Sequence, residues 1–188
     1  MPGPLKIAVL IGSLRKESFT RKIARQMIKL APSSLSCTIV EIGDLPLYNE
    51  DSEADPPAAW KAFRAALAGV DAILFATPEY NRSIPGGLKN AIDVGSRPYG
   101  KSVFDGKAGA VVSVSPGAIG GLGANVAVRN ALVFLNVPTL QQPEAYIGNV
   151  KDLLDDKGEV KAEATRAFLV KFMAAFADWT ALVARRGA

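Results

Sequence analysis

The chain predicts an open, doubly wound α/β fold on a parallel sheet, and three observations lead there. Apolar runs too continuous for half-exposed strands recur at residues 6–11, 72–76 and 108–114, as expected of central strands covered on both faces. Segments with apolar residues at helical spacing separate them. The length of 188 residues, 49% hydrophobic and 21% charged, is enough for one domain with a sizeable core.

The first strand, residues 6–11, ends at Gly12-Ser13. Ile23, Met27 and Leu30 then recur at helical spacing, Pro32 closes that helix, and residues 36–42 read as the second strand. Residues 43–56 are polar loop. Trp60, Phe63 and Leu67 mark an amphipathic helix that leads into the third strand, 72–76, and a turn-rich segment, 77–85. Residues 86–94 form a short helix. Strand 108–114 abuts a Gly/Pro/Ser loop, 115–121, and a helix over 122–135 follows. Residues 137–140 predict an edge strand. Phe168, Phe172, Phe176, Trp179 and Leu182 line one face of a terminal helix, a spacing that core packing explains without a cofactor. No repeat or low-complexity stretch interrupts the pattern, so residues 1–188 read as a single domain.

Composition removes several chemistries. The chain has no histidine, which excludes Ser-His and Cys-His catalysis and histidine proton relays and leaves no expectation of a metal site. Its one cysteine, Cys37, lies in a β-branched stretch, cannot form an intramolecular disulfide, and points to an inert core thiol in a reducing cytoplasm. The apolar run 7–11 is too short to span a bilayer and lacks a signal-peptide cleavage pattern, so neither a membrane nor secretion is expected. A net charge of +4 favours anionic ligands, but the basic residues are spread over most helices without interleaved aromatics, so nucleic acid is not an expected partner.

Ligands of doubly wound sheets bind beyond the carboxyl ends of the strands, where the winding reverses. That rule selects the loops opening at Gly12, Thr77 and Ser115; in the strand order 2-1-3-4-5 the first and third strands are neighbours and their loops share one crevice. The first loop, Gly12-Ser-Leu-Arg-Lys-Glu-Ser-Phe-Thr20, joins strand to helix, where free amides and the positive end of the helix dipole favour an anion. Ser13, Ser18 and Thr20 offer hydroxyls and Arg15 a charged fork, a set that suits a phosphate. The plainer alternative is a helix cap at Ser18 or Thr20 beside a solvated Arg15. Arg15, Lys16, Arg21 and Lys22 nevertheless crowd a helix start that disfavours cations, with Glu17 as the opposing charge nearby. Gly-x-Gly-x-x-Gly and Walker patterns are absent, which disfavours nucleotide hydrolysis. The second loop, Thr77-Pro-Glu-Tyr-Asn-Arg-Ser-Ile-Pro-Gly-Gly87, could hold its amides and carbonyls to read the edge of a planar heterocycle, with Tyr80 as a wall, or could be an ordinary turn. In the third, Ser115, Gly117 and Gly120-Gly121 either let a flat ligand approach the backbone or simply connect two elements.

Taken together these segments resemble the NADPH-dependent FMN reductase family of flavodoxin-like proteins, in particular its chromate and quinone reductase branch. The resemblance rests on Gly12-Ser13-x-Arg15-x-x-Ser18-x-Thr20, on Pro78-Glu79-Tyr80-Asn81-x-Ser83-x-Pro85-Gly86-x-Leu88-Lys89-Asn90-Ala91-x-Asp93, and on Ser115-Pro116-Gly117, and it spans residues 6–144. It implies a flavodoxin-like three-layer sandwich, with a five-stranded parallel sheet in the order 2-1-3-4-5 and helices on both faces. It also implies a bound FMN with its phosphate at Ser13, Arg15, Ser18 and Thr20, Phe19 beside them, its ring against Pro78, Glu79, Tyr80 and Asn81, and Ser115 and Gly117 approaching from the third loop. Members commonly carry asparagine where this chain has Thr20, whose hydroxyl reaches less far, and an aromatic where it has Val94.

A flavin explains how a chain without histidine can be an enzyme, because the ring accepts hydride while the protein orients and shields it. The resemblance implies NADPH or NADH as co-substrate, small-molecule acceptors such as quinones or chromate, and a homodimer or homotetramer; no side chain is assigned as an obligatory catalytic proton donor. Two other readings are a flavodoxin-like electron carrier and a flavin-binding stress-response protein. Carriers usually pair a hydroxyl-rich phosphate loop with an acidic surface, whereas this chain is basic and has Arg15 in that loop. Arg82, Arg97 and Lys101 could each meet the 2′-phosphate of NADPH or remain solvated.

Overall fold

The computed structural model describes residues 3–186. Five parallel strands, β1 (Leu5–Ile11), β2 (Leu35–Val40), β3 (Ala72–Thr77), β4 (Ala108–Val114) and β5 (Ala145–Ile147), form one sheet in the order β2-β1-β3-β4-β5. The helices are α1 (Phe19–Lys29), α2 (Ala58–Ala68), α3 (Gly86–Gly95), α4 (Leu122–Phe134), a single turn α5 (Val150–Leu153), and α6 (Glu163–Arg186). A 3-10 turn, Glu50–Ser52, interrupts the loop after β2.

The pleat of β1 divides the core. Ile7, Val9 and Ile11 face one side, where Ile23 and Met27 of α1 and Leu169, Phe172 and Phe176 of α6 cover them. Ala8 and Leu10 face the other, against Trp60 and Phe63 of α2, Leu88 of α3, and Val128 and Leu132 of α4. β3 and β4 are buried along their whole length, which is why they read as unbroken apolar runs. By length and composition α6 could cross a bilayer, but its large apolar side chains Phe172, Met173 and Phe176 are buried against the sheet and α1. Burying each such side chain contributes about 1.5–3 kcal/mol.

Three expectations are corrected. The edge strand is Ala145–Ile147, not 137–140. Residues 137–140 do run beside the start of β4, where Gly109 donates to the Pro138 carbonyl at 3.0 Å and Leu140 donates to the Gly109 carbonyl at 2.8 Å. The Leu140 carbonyl then accepts from Arg129 Nη1 at 2.9 Å rather than from β4, so pairing lapses and resumes at Ala145 opposite Val112. On α6, Leu182 is exposed and Val183 packs instead, because the stripe continues from Trp179 by four residues rather than three. The second strand ends at Val40, although Ile42 is buried under α2.

Candidate active site

Strand register brings the three loops to one level. Ile11 pairs with Ala76, and Ala76 with Val112, so the chain leaves β1, β3 and β4 within two residues of a common row. The amide of Gly12 donates to the Ala76 carbonyl at 2.8 Å, tying the first exit to its neighbour. A Cβ on Gly12 would sit 3.1 Å from Leu88 Cδ2 and 3.2 Å from Pro78 Cδ, so the first and second loops touch where the first has no side chain. Gly121 brings the third loop against the second, where a Cβ would lie 3.5 Å from Glu79 Cβ.

In the first loop Ser18 is the N-cap of α1, its Oγ accepting from the Arg21 amide at 3.1 Å. The capping alternative is therefore realised, and it takes up one hydroxyl. Ser13 and Thr20 are buried in the same loop, Phe19 is half-buried, and Arg15 is exposed. The cationic crowding is smaller than the linear order suggests. Arg21 forms a two-pronged pair with Glu41 from the end of β2, both contacts at 2.7 Å, and Lys22 pairs with Glu17 at 2.7 Å. Hydrogen bonding to Arg21 holds the Glu41 carboxyl below its ordinary pKa, and Lys22 does the same to Glu17. Arg15 and Lys16 form no ion pair among the described residues.

This donor set fits a phosphomonoester. Among the described residues the amides of Ser13, Leu14 and Arg15, and that of Thr20 in the first turn of α1, donate to no protein acceptor with hydrogen-bond geometry. The Thr20 amide stands in the first turn of α1, which holds no acidic residue. Leu14 projects from the loop over Gly43 and Gly87, each of whose Cβ positions would lie 3.5 Å from a Leu14 δ-carbon.

The second loop is built differently. Tyr80 and Ser83 exchange backbone hydrogen bonds of 3.2 and 3.0 Å around Asn81 and Arg82, both left-handed with φ of 51° and 63°. That is a two-residue hairpin turn with φ positive at both central positions. Tyr80, Asn81 and Arg82 are exposed, Pro78 and Glu79 half-buried. The Glu79 carboxylate points away from solvent. Its Oε2 accepts from the Ala124 amide in the first turn of α4 at 3.0 Å, and its Oε1 from Arg82 Nη1 at 3.3 Å. Asn90 does more than decorate a polar helix face. Buried on α3, it accepts from the Tyr48 amide at 2.8 Å and donates to the Leu45 and Pro46 carbonyls, bracing the loop after β2.

In the third loop Ser115 Oγ accepts from the Gly117 amide at 3.1 Å, and Ser115 N–H donates to the Ile147 carbonyl at 2.9 Å. Gly117 is exposed. Gly120, at φ 68°, lies against the backbone of Tyr146, where a Cβ would come within 2.6 Å. Behind this loop Asn125 donates to Ser113 Oγ and to the Ala145 carbonyl, each at 3.3 Å, and accepts from Arg129 Nε at 2.9 Å. Sequence reasoning missed Asn125, although a polar residue three positions before Val128 on the core face of α4 is a readable signal. Of the three candidates for a 2′-phosphate, Arg82 alone lies at the loop cluster within one copy of the chain. Arg97 and Lys101 follow the far end of α3, roughly 15 Å along the helix axis.

Residues 5–152 match the NADPH-dependent FMN reductase family. The chain is 63% identical over 177 residues to a quinone reductase of Pseudomonas putida, covering 94% of this chain and 95% of that one. It is 45% identical over 175 residues to a 2-hydroxy-1,4-benzoquinone reductase of a Burkholderia species, covering 93% and 96%. Among solved structures, FerB from Paracoccus denitrificans, a flavoenzyme NAD(P)H:(acceptor) oxidoreductase, superposes with a TM-score of 0.88 at 41% identity, covering 94% of this chain and 97% of that chain. With its parallel sheet in the order expected and its loops gathered at one edge, the chain belongs to the NADPH-dependent FMN reductase family and is a flavin-dependent oxidoreductase that uses NAD(P)H as electron donor.

Proposed function

We propose that this protein is an FMN-dependent NAD(P)H:quinone oxidoreductase, a single reductase domain over residues 1–188. The observation that carries this reading is the meeting of the three loops at the carboxyl ends of β1, β3 and β4, with amides unpaired among the described residues in the first and a hairpin pinned by α4 in the second. The high identity to proteins named quinone reductases favours quinones as acceptors, with chromate and similar small oxidants as further candidates.

Ser13, Arg15, Ser18 and Thr20, with Phe19 beside them, would hold the FMN phosphate. Pro78, Glu79, Tyr80 and Asn81 would border the ring, and Ser115 and Gly117 would approach from the third loop. When bound, FMN supplies two-electron chemistry, taking hydride from NAD(P)H and returning it to the acceptor. Free amides and the α1 dipole neutralise the phosphate, and Arg15 adds a charge-assisted bond. The hairpin backbone offers oriented donors at the ring edge, where fixed dipoles favour negative charge. Tyr80 and Leu14 present exposed apolar surface at the mouth, suited to a flat acceptor. No side chain is assigned an obligatory proton transfer.

A cytoplasmic setting accords with the lone thiol, which desolvation raises to about 11 and so keeps protonated at neutral pH. A homodimer or homotetramer is supported by the exposed Val126, Val133 and Phe134 of α4 and by the groove that Ile84, Ile92, Ala127 and Ala131 line between α3 and α4. Purified protein should be yellow, bleach on anaerobic addition of NADPH or NADH, and regain colour on addition of a benzoquinone. Flavin that NAD(P)H leaves oxidised would overturn the reading.

A further inference from the structure

We propose that the first turn of α4 sets the position of the flavin-edge hairpin through an interlock of Glu79 and Gly123, and that Glu79 is a positioning residue rather than a group that reacts. The inference rests on the proposed FMN site.

A hairpin closed by one pair of residues is marginal by itself, and this one carries two non-glycine residues in left-handed conformation. Something outside must hold it, and two close contacts lead to α4. That helix begins without a capping side chain of its own, because its N-cap is Gly121 at φ 77°. Glu79 supplies the missing acceptor from another loop, through its 3.0 Å bond to the Ala124 amide. A carboxylate there also meets the positive end of the helix dipole. The Glu79 side chain is 12% exposed, so water competes little for it.

Gly123 completes the fit. A Cβ at this position would lie 2.7 Å from the Arg82 carbonyl oxygen and 2.9 Å from Glu79 Oε2, so the hairpin backbone rests where a side chain would otherwise stand. The two contacts clamp the turn from both ends, one at Glu79 before it and one at Arg82 inside it. With both oxygens engaged, by Ala124 and by Arg82, the carboxylate is committed to structure. Its service to the reaction is to fix where the amide of Asn81 stands, the Tyr80 amide being held by Ser83.

The test is the rate of FMN release from the purified holoprotein, followed by recovery of flavin fluorescence, beside the visible circular dichroism of the bound flavin and the rate of flavin reduction by NADPH. Gly123→Ala keeps every atom of Glu79 yet should release FMN about ten-fold faster with an altered flavin dichroism, as should Glu79→Ala. Glu79→Gln, whose amide oxygen can still accept from Ala124, should stay within about three-fold of wild type in release and reduction. Far-ultraviolet dichroism verifies folding, and if Gly123→Ala melts early the ratio between the two Glu79 variants still decides. Wild-type release from Gly123→Ala, or a Glu79→Gln variant that binds FMN normally but is reduced as slowly as Glu79→Ala, would overturn the proposal. A wild-type protein that takes up no FMN would instead overturn the functional reading on which it rests.

Discussion

The loop after β1 and the loop after β3 leave neighbouring strands at the same level of the sheet, and they prepare different surfaces. Among the described residues the first leaves the amides of Ser13, Leu14, Arg15 and Thr20 free, caps α1 through Ser18 Oγ, and carries an Arg15 with no ion pair. The second closes on itself between Tyr80 and Ser83 and is pinned by α4. The difference shows two ways of building a binding surface from backbone. An anion is attracted by leaving polar groups unsatisfied where the dipole is positive, whereas a planar edge is met by holding the backbone still. In the proposed FMN site the first surface answers to charge and the second to geometry, so different changes should damage each.

The largest expected effect is on the first loop. Arg15→Ala should weaken FMN binding by about 2 kcal/mol, roughly thirty-fold, and leave riboflavin binding almost unchanged, because the lost bond is to the phosphate. Since Arg15 is exposed and unpaired among the described residues, the thermal midpoint of the flavin-free protein should not move. Equal losses for FMN and riboflavin would place Arg15 elsewhere. Ser18→Ala should cost about 1 kcal/mol of stability through the lost cap, about 2–4 °C in a melt, in flavin-free protein as well.

The second loop makes a smaller prediction of opposite sign. Arg82→Gly removes a left-handed cost of about 1 kcal/mol at the position where such turns favour glycine. It gives up an exposed pair with Glu79 worth less than about 1 kcal/mol. The melting temperature should hold or rise, and a clear fall would show that the pair matters more than the turn.

The smallest effect belongs to the brace behind the first loop. Arg21 depresses the Glu41 pKa in the folded chain, so the stabilisation is present above the unfolded glutamate range and is lost as pH falls through the folded value. Glu41→Gln should cost less than about 1 kcal/mol at neutral pH, the pair being largely exposed on the glutamate side. Urea titrations of the two proteins should converge as the pH drops below the ordinary glutamate range, and a constant gap would assign the effect to packing.

Much of the fold was legible because β1, β3 and β4 are buried on both faces and so advertise themselves as apolar runs. β5 was not, because three residues carry too little pattern and residues 137–140 compete for the same edge. The three loops were legible from their glycines, prolines and hydroxyls. The destinations of their side chains were not. The Glu79 side chain turns out to cap a helix 45 positions away, and Arg21 looked uncompensated until Glu41 arrived from the end of the next strand.

The alternation of strand and helix, the lack of imidazole chemistry and the glycines, prolines and hydroxyls of the three loops were determined by the sequence alone. Periodicity, composition and local backbone preference are properties of neighbouring residues. Which amides stay free, which carboxylate is committed and which glycine must lack a side chain were decided by the tertiary structure. Those facts depend on what another part of the chain brings to within hydrogen-bond distance, and no local pattern encodes that distance.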